Sequence, residues 1–152
     1  MSAMKEMLRE KRFRTRSVEG TLSLGEKLAE ILRAPKLVIL RGEVGAGKTT
    51  LVKGIARALG AAYEEDVTSP TFTLVHEYDG ANVHLFHLDL YRLETEEQIA
   101  VLGLEEMIAE PNALVLVEWG ERFESVVKLA AAEVAMEHGE GDERGLIVRW
   151  RE

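Results

Sequence analysis

Gly42, Gly47, Lys48 and Thr49 stand at the spacing Gly-x4-Gly-Lys-Thr, with a further glycine, Gly45, between them. Glycines at these places let the backbone aim successive N–H groups at one point, and a helix starting there adds the positive end of its dipole. Such a pocket takes a polyphosphate. Lys48 is expected to reach the β and γ phosphates of a nucleotide, with the Thr49 hydroxyl on Mg²⁺. The spacing is that of a Walker A loop, and its surroundings agree: an apolar run, residues 37–40, enters it and an amphipathic pattern leaves it.

A nucleotide held with Mg²⁺ also needs a carboxylate at the end of a neighbouring buried strand. Glu118 follows five apolar residues, 113–117, and is expected to fill that role rather than lie exposed at a strand end. Asp89, set among apolar residues in His87-Leu88-Asp89-Leu90-Tyr91-Arg92, is open to two readings. It either holds a metal-bound or attacking water or makes a salt bridge with Arg92. His84 and His87 lie three apart on a predicted strand, face opposite sides and make a poor metal pair, so they read as packing or surface residues. Ser69 or Thr71, in Thr68-Ser69-Pro70-Thr71-Phe72, could sense a γ-phosphate or serve only a turn. Trp119 reads as a packing residue.

These residues need elements to hold them. Leu24, Leu28, Ile31 and Leu32 recur at helical spacing and predict a helix over residues 21–33, with Ser23 and Glu26 as a capping box. A second helix begins near Lys48 and ends at Gly60. Residues 71–78 and 83–90 predict an antiparallel hairpin, and Thr95 with Gln98 caps a further helix that ends at Gly103. Residues 104–109 fit a short helix, 113–117 a buried strand, and the last thirty residues a hairpin turning at 139–145.

The 152 residues, 46% hydrophobic, fit one globular domain with a sizeable core. There is no cysteine, no long apolar span and no apolar leader, which points to a cytoplasmic protein that does not enter a membrane. The formal charge is −8, yet residues 1–17 carry six Lys or Arg against two Glu. The body is therefore strongly acidic and poorly suited to gripping nucleic acid, while the first 17 residues are expected to form a mobile, solvated basic arm.

The stretches GEVGAGKTT, SPTFTLVHEY, HLDLYRL and VEWGER, in this order, resemble the bacterial TsaE family. The resemblance runs from about residue 21 to residue 122. It implies a P-loop NTPase-like α/β fold, a mixed sheet flanked by helices with antiparallel hairpins, and an ATPase serving the formation of N6-threonylcarbamoyladenosine at position 37 of tRNAs that read ANN codons. The implied partners are TsaB and TsaD, with tRNA met only through the complex. Carried onto this chain, the resemblance makes Gly45, Ala46, Gly47, Lys48, Thr49 and Thr50 the phosphate loop, and places Mg²⁺ on Thr49 and Glu118. Asp89 matches a functionally important acidic position, and Ser69, Pro70 and Thr71 match a switch-like loop. Residues 18–21 and the hairpin tip at Glu143 and Arg144 are implied to approach the adenosine of ATP. Glu43 and Gly120 depart from the family's more frequent residues without touching the phosphate chemistry.

Two other classes share a phosphate loop. A small-molecule kinase needs an arginine-bearing lid over its acceptor, and no segment stands out as one. A GTP-dependent switch usually carries Asn/Thr-Lys-x-Asp, and no Lys here is followed two residues later by Asp.

Overall fold

Apolar runs with no polar face must be buried on both sides, and residues 37–40 and 113–117 accordingly become central parallel strands. The computed structural model describes residues 8–43, 46–63, 66–70 and 73–151. In chain order its elements are β1 (Leu8–Thr15), α1 (Val18–Ile31), β2 (Lys36–Arg41), α2 (Lys48–Ala58), β3 (Val75–Asp79), β4 (His84–Asp89), α3 (Glu96–Leu102), α4 (Leu104–Ala109), β5 (Ala113–Glu118), α5 (Glu124–Leu129), β6 (Ala132–His138) and β7 (Arg144–Arg151). The seven strands form one sheet in the order β1-β7-β6-β2-β5-β4-β3. The inner strands β6, β2, β5 and β4 run parallel, while β3, β7 and β1 pair antiparallel at the margins.

Each face of the sheet carries its own apolar cluster. Val38, Leu40, Leu114 and Leu116 pack with α1 and α2, whereas Leu37, Ile39, Val115 and Val117 pack with α3, α4 and α5. Side chains alternate across a strand, so consecutive apolar residues serve the two layers in turn. After β2 the chain passes to β3 at the sheet edge, turns back into β4, and returns to insert β5 between β4 and β2. Leu40 of β2, Glu118 of β5 and Asp89 of β4 thereby fall in one row across three strands. That row lies at the carboxyl ends of the parallel strands, where open α/β sheets hold ligands.

Helices α1 and α2 meet through glycine. A Cβ on Gly25 would come within 2.6 Å of the Leu51 carbonyl oxygen, and one on Gly54 would collide with that of Leu22. Neither position tolerates a side chain without moving a helix.

Three expectations need correction. The first helix starts at Val18, not Thr21, because Ser17 is the N-cap and its hydroxyl accepts from Gly20 N at 3.0 Å. Ser23 therefore sits inside the helix, and Glu26 pairs instead with Arg57 of α2 at 2.8 Å. The basic segment is not a free arm over residues 8–15: it forms edge strand β1 along the whole of β7, from Leu8 opposite Arg151 to Thr15 opposite Arg144. Its charges conceal a period of two, in which Phe13 packs on the α1 side of the core and the Thr15 hydroxyl bonds that of Thr21 at 2.8 Å. Charged edges of this kind also discourage sheet-to-sheet pairing. Residues 1–7 lie outside the described residues. The third correction concerns the start of the first hairpin strand, which begins at Val75 rather than residue 71.

Apart from α5, which the sequence reading does not contain, the remaining elements follow it. The Thr95–Gln98 capping box is complete and Gly103 ends α3 in the left-handed region. The final thirty residues hold α5 and then the β6–β7 hairpin.

Candidate functional site

The loop between β2 and α2 is shaped by glycine. Gly42 has φ 151° and a Cβ there would lie 2.9 Å from the Met136 carbonyl oxygen; Gly47, with φ 102°, is the N-cap of α2. No side chain caps this helix and its first turn holds no acidic residue. The amides of its first turn, at Lys48, Thr49 and Thr50, thus have no intrahelical acceptor, which is the arrangement that receives an anion. Ala46 is fully buried and its carbonyl accepts from Arg144 Nε at 2.8 Å, so the β6–β7 hairpin braces the loop from the side. Gly45 lies outside the described residues.

Lys48 does not point into solvent. Its ammonium group donates to the Gly42 carbonyl at 2.6 Å, lies 3.4 Å from Glu118 Oε1, and stands 5.0 Å from the Trp119 ring centre. Lys48 and Glu118 are 7% and 5% exposed, so this ion pair is buried and little screened. The other carboxylate oxygen, Glu118 Oε2, accepts from His87 Nε2 at 2.6 Å. Burial alone would raise the Glu118 carboxyl, but the hydrogen bond and attraction from His87, followed by those from Lys48, outweigh it and hold the group below its ordinary value.

Asp89 is also buried, at 4% exposure, and is the direct cross-strand neighbour of Glu118. Its Oδ1 accepts from Tyr91 N at 2.9 Å, and its own amide donates to the Leu74 carbonyl at 3.0 Å. Leu74 (φ 76°) and Trp119 (φ 65°) both occupy the left-handed region, a costly conformation for such side chains and one that clusters at functional sites. The Tyr91 and Trp119 rings lie 5.2 Å apart, and Arg122 donates to the Tyr91 and Leu93 carbonyls at 3.0 and 2.7 Å, fixing the turn after β4.

The structure therefore brings together Ala46, Gly47, Lys48, Thr49, Thr50, Asp89, Glu118 and Arg144. Glu143 pairs with Arg14 of β1 at 3.5 Å. The start of α1 is near the loop because Thr15, just before it, is paired with Arg144. The segment with Ser69 reaches the end of β4 through Leu74, whose amide donates to the Pro70 carbonyl. His76 ties that segment, bonding the Thr73 hydroxyl at 2.7 Å and the Thr68 carbonyl at 3.1 Å. Thr71 lies outside the described residues.

Of the two readings of His87, packing or surface, the structure supports burial and adds a polar role. The side chain is fully buried and bound to Glu118. The signal was present: residues two apart on a strand share a face, so an inward Asp89 implies an inward His87. His84, three residues from His87, faces the other side, between Glu110 at 2.6 Å and Glu77 at 2.8 Å. Arg144, which the resemblance brings toward the adenosine, also holds the loop carbonyl of Ala46. This bond joins residues 98 apart in the chain, which no local pattern encodes.

Buried acidic side chains closing two parallel strands beside a glycine-shaped loop and an uncapped helix define a P-loop NTPase-like α/β protein. Residues 15–146 match the family model of the threonylcarbamoyl adenosine biosynthesis protein TsaE. The chain belongs to that family. It is 47% identical over 108 residues to the tRNA threonylcarbamoyladenosine biosynthesis protein TsaE of Nostoc sp., covering 69% of this chain and 65% of that one. Identity to the Aquifex aeolicus TsaE is 38% over 122 residues, or 80% and 81% of the two chains. The crystal structure of Bacillus subtilis YdiB matches with a TM-score of 0.73 at 29% identity, over 97% of this chain and 89% of that one.

Proposed function

We propose that this chain binds ATP with Mg²⁺ and hydrolyses it in support of threonylcarbamoyladenosine formation on tRNA, acting with TsaB and TsaD. The observation that carries the reading is the buried Lys48–Glu118 pair at the mouth of an uncapped α2, with Asp89 beside it. A lysine that turns from Glu118 to a polyphosphate leaves acidic side chains in need of a cation. The donor set suits Mg²⁺, which takes one or two carboxylates together with substrate phosphates and water.

Thr49 and Glu118 would hold the metal, which when bound neutralises charge on the β and γ phosphate oxygens. Lys48 and the first-turn amides of α2 bind the same phosphates, and Asp89, its Oδ1 anchored by the Tyr91 amide, orients the attacking water. Arg144 and residues 18–21 flank the place for the adenosine. Contact with tRNA is indirect, since a chain of formal charge −8 repels a polyanion.

Arg144 and Arg122, which border the site, donate to backbone carbonyls. With both guanidinium groups held on main-chain oxygens, turnover by the chain alone is expected to be slow and to rise at least ~10-fold when partners complete the site. Phosphate release from ATP, measured with and without TsaB and TsaD, tests this. Brisk hydrolysis by the lone protein, unchanged by partners, refutes the dependence. Lys48→Ala should lower turnover by ~100-fold or more with the fold retained by circular dichroism; normal hydrolysis by that variant overturns the assignment.

A further inference from the structure

The Glu118 carboxylate is held from two sides by groups of different permanence. Lys48 reaches Oε1 through a long, flexible stem and is the residue that turns to phosphate, whereas His87 reaches Oε2 from inside the sheet and is fully buried. A carboxylate only accepts, so His87 Nε2 carries the hydrogen of this bond. The other ring nitrogen, Nδ1, is buried and meets no hydrogen-bond partner among the described residues. Among the described residues, the polar edge of the ring is therefore tied to Glu118 alone. A buried imidazole with one nitrogen left unsatisfied is a cost that a leucine would not carry.

We propose that His87 is a positioning residue for the cation site: it commits Glu118 Oε2 and leaves Oε1 as the only oxygen able to exchange Lys48 for a divalent cation. The inference rests on the nucleotide reading above. Without His87 the carboxylate rotates about its terminal torsion, which is broad and roughly two-fold, and offers either oxygen or both to a cation. Groups that orient a ligand in this way typically contribute 10–100-fold to metal affinity. The consequence is a linkage, because the cation must replace the charge that Lys48 withdraws from Glu118. Mg²⁺ tightens nucleotide binding by a factor that depends on how well Glu118 is presented.

The measurement is the affinity for ADP and for a non-hydrolysable ATP analogue by titration calorimetry, once in EDTA and once in Mg²⁺, for the full chain. The ratio of the two affinities is the readout, so a variant that is merely less stable does not move it. His87→Leu should cut the ratio about 10-fold or more. His87→Gln, whose amide N–H occupies nearly the place of Nε2, should keep it within about threefold. Should the leucine variant not fold, His87→Met fills similar space and equally lacks a donor. Wild-type binding of nucleotide with an unchanged ratio in the donor-less variant overturns this inference and leaves the nucleotide site standing. A glutamine variant as impaired as the leucine variant also overturns it. Failure of the wild-type protein to bind nucleotide at all brings down the function proposed above and this role of His87 with it.

Discussion

Among single residues, Lys48 shows how buried charges can be kept tolerable by one another. An ammonium group and a carboxylate that are both buried would each be costly alone, and together with the Gly42 carbonyl and His87 they satisfy one another. His84 is the contrasting case, a histidine at the opposite end of β4 among acids that have no part in the site. Burial opposes its charge, but the hydrogen bonds its ring donates to Glu110 and Glu77 and attraction to Glu110 and Asp79 prevail, so its pKa is raised. A raised pKa adds stability that is complete below the unfolded value of about 6.5 and disappears as pH climbs through the folded value. The wild type should therefore lose stability relative to His84→Gln between pH 6 and pH 8. Since its acidic partners are about half exposed, the difference stays below about 1 kcal/mol. Thermal melts of both proteins across that range check it, and parallel pH curves would contradict it.

Between elements, the decisive contact is α1 against α2. It sets the angle at which α2 leaves the glycine loop, and it exists only because Gly25 and Gly54 let backbone touch backbone. Gly54→Ala forces the helices apart and should cost roughly 1–3 kcal/mol or more. That is a fall in melting temperature of about 2–4 °C for each kcal/mol in a domain of this size. Gly145→Ala, which meets no atom within 4 Å, should change little. Equal effects of the two substitutions would show that helix contact is not the cause. The capping box at Thr95 and the left-handed Gly103 are the opposite kind of feature, local enough that four residues specify them.

For the whole molecule, β1 is where local and global reading part. Its arginines and lysine look like a solvated tail, yet the strand covers the edge of β7 and lays Phe13 against the core. Removing residues 1–15 should lower the melting temperature by about 4 °C or more, from roughly 2 kcal/mol of lost burial, and expose a bare strand edge. Light scattering should then report association that grows with concentration. A truncated chain that stays monodisperse and melts unchanged would show that β1 is dispensable. Among the described residues no helix is long and apolar enough to cross a membrane.

The glycine loop, the strand that enters it and the helix that leaves it were legible because their meaning is local. A glycine spacing fixes backbone freedom, and a run of apolar residues fixes burial, over a few residues at a time. The same holds for Glu118, singled out by the unbroken apolar run before it, and for Asp89, by its apolar neighbours. What no spacing could decide was who meets whom. Leu40, Glu118 and Asp89 share a row, His87 holds Glu118, and Arg144 braces Ala46, only through strand register and hairpin docking between segments far apart in the chain. Register is set by the packing of two apolar layers on both faces of the sheet at once, which is a property of the assembled core and of no single stretch.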